Sequence, residues 1–559
     1  MRTRSGARRT GALLGLLVLL SGSLAACAPS AYLSAAEAEA TLAPLQTRSA
    51  AQVALAAAST RLAPSPTAIT AQQVTPTVPD PAQPTQSAGG DEPEPTVQTP
   101  LPTLVAQNPT PATPPEGLAG GGSDMFLYQT QSGDTLAALA LRFGVDPGSI
   151  SSSVALPGEG LLPAGLTVFI PDVLSNLTPS NPLLPDSEIV DSPSAADFDA
   201  ASFAQQAGGY LSGYQAPMGS GTQPAVTVLL QEVRNNSANP RLLMGLLEFQ
   251  NHLVTGQPAG QSALDYPMGY ANPHYRGFFL QLSWAVQELF TGYYGWRSGQ
   301  LTELQFRDGT RLRLAPMLNA GTVAIQYLFA QMYDQKTWLS VLYGENNFPA
   351  AYARLMGDPW LRASSMGPLF PPGLAQPALS LPYPVFESWS FSGGPHPAWG
   401  PTSPFAALDF APGSVQAGCV PSNAWVRAMA PGLVVRSGDG QVVVDLDGDG
   451  REETGWDVFY LHIATAARVP VGLWLNQDDL VGHPSCEGGN ATGTHVHVAR
   501  KYNGEWIPAD GPLPFVLSGW QAHSSGAAYK GWVERQGVEV QASPFGNEES
   551  RVLRYPDSQ

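Results

Sequence analysis

The chain has 559 residues, with 27 lysines and arginines against 45 aspartates and glutamates, giving a formal net charge of −18. So acidic a balance excludes nucleic acid as a partner and excludes electrostatic adhesion to anionic surfaces, since both need clustered positive charge. Once an unstructured leading stretch is set aside, the remaining length allows three folded units.

Residues 1–26 read as a secretory signal peptide, with Arg2, Arg4, Arg8 and Arg9 ahead of an apolar run from Gly11 to Leu20. That run is shorter than the ~20 residues needed to span a bilayer. Leu24-Ala25-Ala26-Cys27 resembles a bacterial lipobox, which implies cleavage before Cys27 and lipidation of that cysteine. The implied location is exported, anchored to a bacterial membrane through lipid and facing the cell wall or exterior; two or more acyl chains make such anchoring stable. Residues 27–123 are rich in Ala, Pro, Thr, Gln and Ser and cannot bury a core, so they read as a disordered tether. The Ala-rich piece from Ala35 to Arg61 is a candidate transient helix, and Gly120–Gly122 is a hinge. At ~3 Å per residue, the ~60-residue Pro/Thr/Gln stretch reaches well over ~100 Å.

Residues 124–173 form a small folded unit. A strand at Phe126-Leu-Tyr-Gln-Thr130 precedes a helix carrying Leu136, Leu139, Ala140 and Phe143 at i, i+3, i+4 and i+7, closed by Gly144. A second short helix is expected after Asp146-Pro147, then a closing strand through Leu162 to Pro171. The pattern resembles a LysM module, a family that binds N-acetylglucosamine polymers such as peptidoglycan. The resemblance implies glycan contacts from Gly133, Asp134 and Thr135 in the first loop and from Val154, Ala155 and Leu156 in the second. A generic βααβ spacer that binds nothing is the alternative.

Residues 195–375 read as a helical domain. Asn239-Pro240 starts a buried helix, a second runs from Phe279 to Tyr293, and a third from Asn319 to Tyr333. Leu304 to Leu314 is a hairpin turning at Asp308-Gly309. The order N-P-x-x-L-x-x-x-L-E followed by N-A-G-T distantly resembles lysozyme-like lytic transglycosylases. Where that family carries catalytic Glu-Ser, this chain has Gln250-Asn251, with Glu248 two places early, so a non-catalytic domain is expected. Tyr293, Tyr294 and Trp296 are either glycan contacts or core.

The densest chemistry lies in residues 380–545. Four of the chain's eight histidines cluster there with one aspartate: His396, Asp409, His462, His495 and His497. In a strand, His495 and His497 point to the same face. A hydrolytic zinc site needs three protein ligands, an open position, and further groups to handle protons. The set resembles the lysostaphin/LytM superfamily of zinc endopeptidases, and within it the beta-lytic branch. The superfamily's H-x-x-x-D spacing fails because Phe405 stands four before Asp409, whereas His396, 409 − 396 = 13 positions ahead, fits that branch. So does the run from Cys486 to His497 with Tyr502-Asn503-Gly504 behind it.

By that resemblance His396, Asp409 and His497 hold one Zn2+, and His462 and His495 stay off the metal. The implied mechanism is metal-assisted amide hydrolysis, the two free histidines relaying the proton of water and stabilising the oxyanion. The H-E-x-x-H helix of thermolysin-type enzymes is absent from the sequence. With Cys27 lipidated, an oxidising exterior permits one disulfide between Cys419 and Cys486, although Cys419 does not stand where the family's usual partner cysteine falls. Asp445, Asp447 and Asp449 alternate as in a calcium loop, but Trp456 takes the place of its twelfth-position Glu; a hairpin turn is the other reading, and Ca2+ stays open.

The expected fold is therefore multidomain α+β: a disordered tether, a small βααβ module, a mainly α middle domain and an antiparallel β-rich metallopeptidase domain. The expected function is a cell-surface zinc endopeptidase cutting peptidoglycan peptide stems or cross-bridges. A non-hydrolytic regulator of other wall hydrolases, and a glycan-strand cleaver working through the middle domain, are the alternatives.

Overall fold

The computed structural model describes residues 125–556 apart from 220 and 415. The expected signal peptide, Cys27 and the expected tether lie outside the described residues.

In the small module, β1 (Met125–Gln129) and β3 (Thr167–Pro171) pair antiparallel, and β2 (Ser151–Ser152) lies on the far side of β3. Thr135 caps α1 (Leu136–Phe143) by accepting from the Ala138 N–H, and Gly144 ends it in the left-handed conformation that glycine adopts without strain. Leu139, Ala140 and Phe143 bury against Tyr128, Val168 and Ile170. The expected second helix is a single 3-10 turn, Pro147–Ser149. Ile150 is the one aliphatic side chain among the serines and glycine of 147–153, so a longer helix there has no face to bury.

The helical region begins earlier than residue 195, because Leu183, Leu184, Ile189 and Val190 already lie in its core. Its main helices are α2 (Ala225–Asn236), α3 (Pro240–Asn251), α4 (Phe278–Arg297) and α5 (Ala320–Met332). Asn239 caps α3 by accepting from the Arg241 N–H, with Pro240 in the first turn. Helices α4 and α5 approach closely at Gly292, where a Cβ would stand 2.8 Å from Ala324 Cα. Tyr293, Tyr294 and Trp296 are buried core residues.

The β-rich part is built on a nine-stranded antiparallel sheet. Its strands are β4 (Ser388–Pro397), β5 (Phe405–Ala411), β6 (Gly432–Gly438), β7 (Gln441–Asp445), β8 (Trp456–Leu461), β9 (Trp474–Leu475), β10 (Val496–Tyr502), β11 (Glu505–Trp506) and β12 (Arg551–Leu553). They lie in the order β9-β6-β7-β8-β10-β5-β4-β12, with β11 pairing β10. Strand β12 falls beyond the expected end at 545, since buried Val552 completes the edge opposite Trp389.

Alternation along the strands divides the sheet into two faces. Leu408, Phe410, Val442, Val444, Val458, Tyr460, Val496 and Val498 point into the core of the β-rich part. Ala407, Val443, Phe459, Leu461 and Ala499 point the other way and join the core of the helical region. Polar contacts reinforce that seam: Tyr293 donates to Glu505 at 2.7 Å, and Trp506 Nε1 donates to the Asn236 carbonyl at 3.0 Å. The helical region therefore covers part of the face on which the site is built.

Candidate metal centre

Strand register places the ligands. In β10, His497 stands directly opposite Asp409 of β5 and opposite Leu461 of β8. Directly opposed residues share a face, so the imidazole and the carboxylate meet. His396 arrives by an irregularity: β4 pairs with β5 as Gly393 with Asp409 and then His396 with Ala407. Three steps along β4 match two along β5, and this bulge turns His396 onto a face that regular alternation would deny it. Gly393 makes the room, because a Cβ there would stand 2.3 Å from Asp409 Oδ2.

The ligand atoms of His396, Asp409 and His497 lie within 4.8 Å of one another, and all three residues are buried. His396 Nδ1 donates to the Gly394 carbonyl at 2.8 Å, and His497 Nε2 donates to the Ala398 carbonyl at 3.0 Å. Those bonds leave lone pairs on His396 Nε2 and His497 Nδ1, which face each other at 3.0 Å. Each is 3.3 Å from Asp409 Oδ1, a buried oxygen that receives no well-directed hydrogen bond. Three electron-pair donors thus converge on one point. A proton shared between the rings would satisfy one pair; a divalent cation satisfies all three. Two imidazoles and one carboxylate, each imidazole steered by a backbone carbonyl, fit zinc with a position left open.

The electrostatics agree with a site built for positive charge. Burial opposes ionisation of Asp409, yet His396 and His495 outweigh it and hold the carboxyl well below the usual range. Burial likewise opposes a charged His396, but the Asp409 carboxylate raises it above the ordinary imidazole value. His497 is lowered by its burial. The facing rings are inequivalent, and one at most takes a proton.

His462 and His495 flank this group without joining it. His462 follows the last residue of β8 in a left-handed conformation, φ 65°, and its Nδ1 donates to the Glu487 carbonyl at 2.8 Å. Burial, with His495 and His497 alongside, lowers its pKa to about 3. His495 donates from Nδ1 to the Gly493 carbonyl at 2.7 Å, and its Nε2 lies 3.7 Å from Asp409 Oδ1. The two rings are 4.5 Å apart. Each keeps Nε2 as an acceptor, and the Cys419–Cys486 disulfide closes the loops around them. Tyr529, half exposed, stacks on His396 at 4.2 Å. Its loop carries no motif that sequence could have flagged, whereas paired glycines such as Gly393-Gly394 inside a strand are a signal that could have marked a close backbone approach.

Asp445, Asp447 and Asp449 also gather within 4.8 Å. Their oxygens are engaged with their own loop: Asp445 accepts from the backbone of Asp447, Gly448 and Gly450, and Asp449 accepts from that of Arg451. The hairpin-turn alternative accounts for these contacts.

The first glycan loop differs from expectation. Asp134 is buried, accepts from Tyr128 and the Gln131 N–H, and pairs with Arg142 at 2.7 Å. Gly133 faces Arg297 and Phe370, leaving no room even for a Cβ, and Thr135 is spent on the helix cap. A carboxylate placed beside a buried guanidinium serves the fold, and the helical region closes this edge. In the second loop, Val154 and Ala155 are exposed and Leu156 is half buried. In the middle region, Glu248 accepts from the backbone of Val254 and Thr255 beyond its own helix, and Gln250 accepts from Tyr333 at the end of α5, so both serve the fold.

Residues 182–369 match the family model described as the LasA N-terminal domain. That stretch is most of the helical region that resembles lysozyme-like proteins only distantly. Protease LasA of Pseudomonas aeruginosa is 25% identical over 296 residues, 49% of this chain and 65% of that protein. The chain thus spans just under two thirds of the LasA length. Beta-lytic metalloendopeptidase of Lysobacter enzymogenes is 28% identical over 158 residues, 27% of this chain and 82% of that protein. The solved M23 metalloprotease pseudoalterin, from the deep sea, is 24% identical and covers 30% of this chain and 96% of its own, with a TM-score of 0.26. The similarities to LasA and to the beta-lytic enzyme support a LytM-type peptidase domain in the C-terminal part of the chain.

Proposed function

We propose that this protein is a zinc metalloendopeptidase that cuts peptide bonds of peptidoglycan from the cell surface. One observation carries the proposal: two tautomer-locked imidazoles and an orphaned carboxylate oxygen face one point, with two further imidazoles beside them. His396, Asp409 and His497 hold the ion; the chemistry zinc supplies when bound is Lewis acidity toward water and toward a peptide carbonyl.

The chain's own residues do the rest. His462 and His495 are oriented through Nδ1, so Nε2 of each is the nitrogen that takes a proton from attacking water. Once protonated, the same nitrogen donates to the carbonyl oxygen or to the leaving amine. His462 rests neutral, because its burial opposes the protonated ring.

Anchoring through Cys27 and a LysM-type contact with glycan complete the proposal. With the first loop closed by Arg297 and Phe370, glycan contact falls to Val154, Ala155 and Leu156. Digestion of purified cross-linked sacculi by the zinc-loaded chain, followed by muropeptide analysis, tests it. New peptide amino ends are expected; new reducing or anhydro sugar ends, or no change, would overturn the proposal.

A further inference from the structure

The two metal-free histidines are oriented by two loops, and one covalent bond joins those loops. Residues 485–487 hold His462 from both ends. Ser485 N and Oγ donate to its backbone carbonyl at 2.7 and 3.0 Å, and the Glu487 carbonyl takes its ring Nδ1–H at 2.8 Å. Residues 418–420 hold the segment that fixes His495. Thr494 N donates to the Gly418 carbonyl at 3.1 Å, Thr494 Oγ1 bonds the Val420 N–H and carbonyl at 3.0 and 2.5 Å, and the adjacent Gly493 carbonyl takes the His495 Nδ1–H. Cys419 sits in the second grip and Cys486 in the first, with Cα atoms 5.8 Å apart. The carbonyls that steer the metal-facing rings, Gly394 and Ala398, belong to neither loop.

We propose that Cys419, Cys486 and Thr494 are positioning residues forming a clamp that sets the orientation of His462 and His495 and leaves the metal donors alone. The inference rests on the peptidase proposal. Between β5 and the short strand at Val426, residues 412–414 and 416–425 have no regular secondary structure, so their course depends on what pins them. A displacement of ~1 Å in a proton-relaying ring costs up to ~100-fold in rate without touching substrate affinity. The clamp therefore acts on kcat.

The test compares the full-length chain with Cys419→Ser/Cys486→Ser, Thr494→Val and Thr494→Ser, reading zinc content, kcat and KM on a soluble cross-linked muropeptide, and histidine ring N–H exchange by NMR. The first two variants are expected to keep zinc near the wild-type level and KM within about twofold, with kcat down about tenfold or more. Thr494→Ser keeps the hydroxyl and restores kcat. The ring N–H groups of His462 and His495 should exchange faster in both damaged variants, those of His396 and His497 unchanged. Unchanged kcat and exchange in both, or zinc lost in step with kcat, would overturn the clamp. Thr494→Val retains the disulfide and so covers the case in which the cysteine variant does not fold. If the wild-type chain cuts nothing, the peptidase proposal has failed, and the exchange pattern still decides the clamp.

Discussion

Each of the four clustered histidines spends one ring nitrogen on a backbone carbonyl, which decides where the other nitrogen's lone pair points. Those of His396 and His497 meet Asp409 Oδ1 at 3.3 Å, while His495 stands back at 3.7 Å and His462 lies outside the group, and that division separates ligand from proton relay. Gly393 is the residue on which the ligand half depends. Gly393→Ala sets a methyl group 2.3 Å from Asp409 Oδ2, so the carboxylate must turn away. Zinc affinity should fall about 10–100-fold, the range seen when a ligand loses its support. Competition with a chromophoric chelator measures this, and an affinity equal to wild type would contradict it. His495 and His497 were legible as His-x-His on a strand, whereas the roles of His396, Asp409 and His462 came from the resemblance to the beta-lytic branch. The carbonyls of Gly394, Ala398, Gly493 and Glu487 were not legible, since every residue carries one and only the fold selects which is used.

At the scale of elements, the legible features were those with local punctuation: the Asn239-Pro240 start of α3, and the Asp308-Gly309 turn between short strands at Glu303–Gln305 and Arg311–Arg313. The bulge in β4 was not read from the sequence, although Gly393-Gly394 inside a strand is the kind of residue signal that marks one. Neither was the loss of the module's second helix, which followed from a missing apolar face. Helix α2 carries a further consequence of burial. Glu232 lies in it beside Ser283 and Asn236, and burial lifts its pKa from 4.5 to about 7. A carboxyl raised in the folded state contributes stability that is fully present below 4.5 and is lost as pH rises through about 7. This group alone should thus remove about 3 kcal/mol of stability across that window. Glu232→Gln should flatten the dependence, as followed by chemical denaturation between pH 4.5 and 7.5; an unchanged slope would show that the group titrates normally.

For the whole molecule, the described residues lie within a single compact unit, and seams join the small module, the helical region and the β-rich part. The seams are what sequence could not show, because each is made of side chains that look like ordinary core or ordinary charge on their own strand or helix. Arg142 illustrates this: it pairs with Asp134 inside the module and donates to the Trp296 carbonyl of α4 across the seam. Arg142→Ala leaves a buried carboxylate unpaired, which costs about 3–5 kcal/mol. The module should then open to proteolysis near residues 172–178 while zinc binding persists; equal protease resistance in variant and wild type would contradict the docking.

Zinc stoichiometry in three purified full-length proteins tests the account at its centre: wild type, Asp409→Ala and His462→Ala. The account predicts about one ion per chain in the wild type, almost none without the carboxylate, and about one again without His462, whose ring lies outside the donor set. Zinc retained in Asp409→Ala, or lost in His462→Ala, would contradict it.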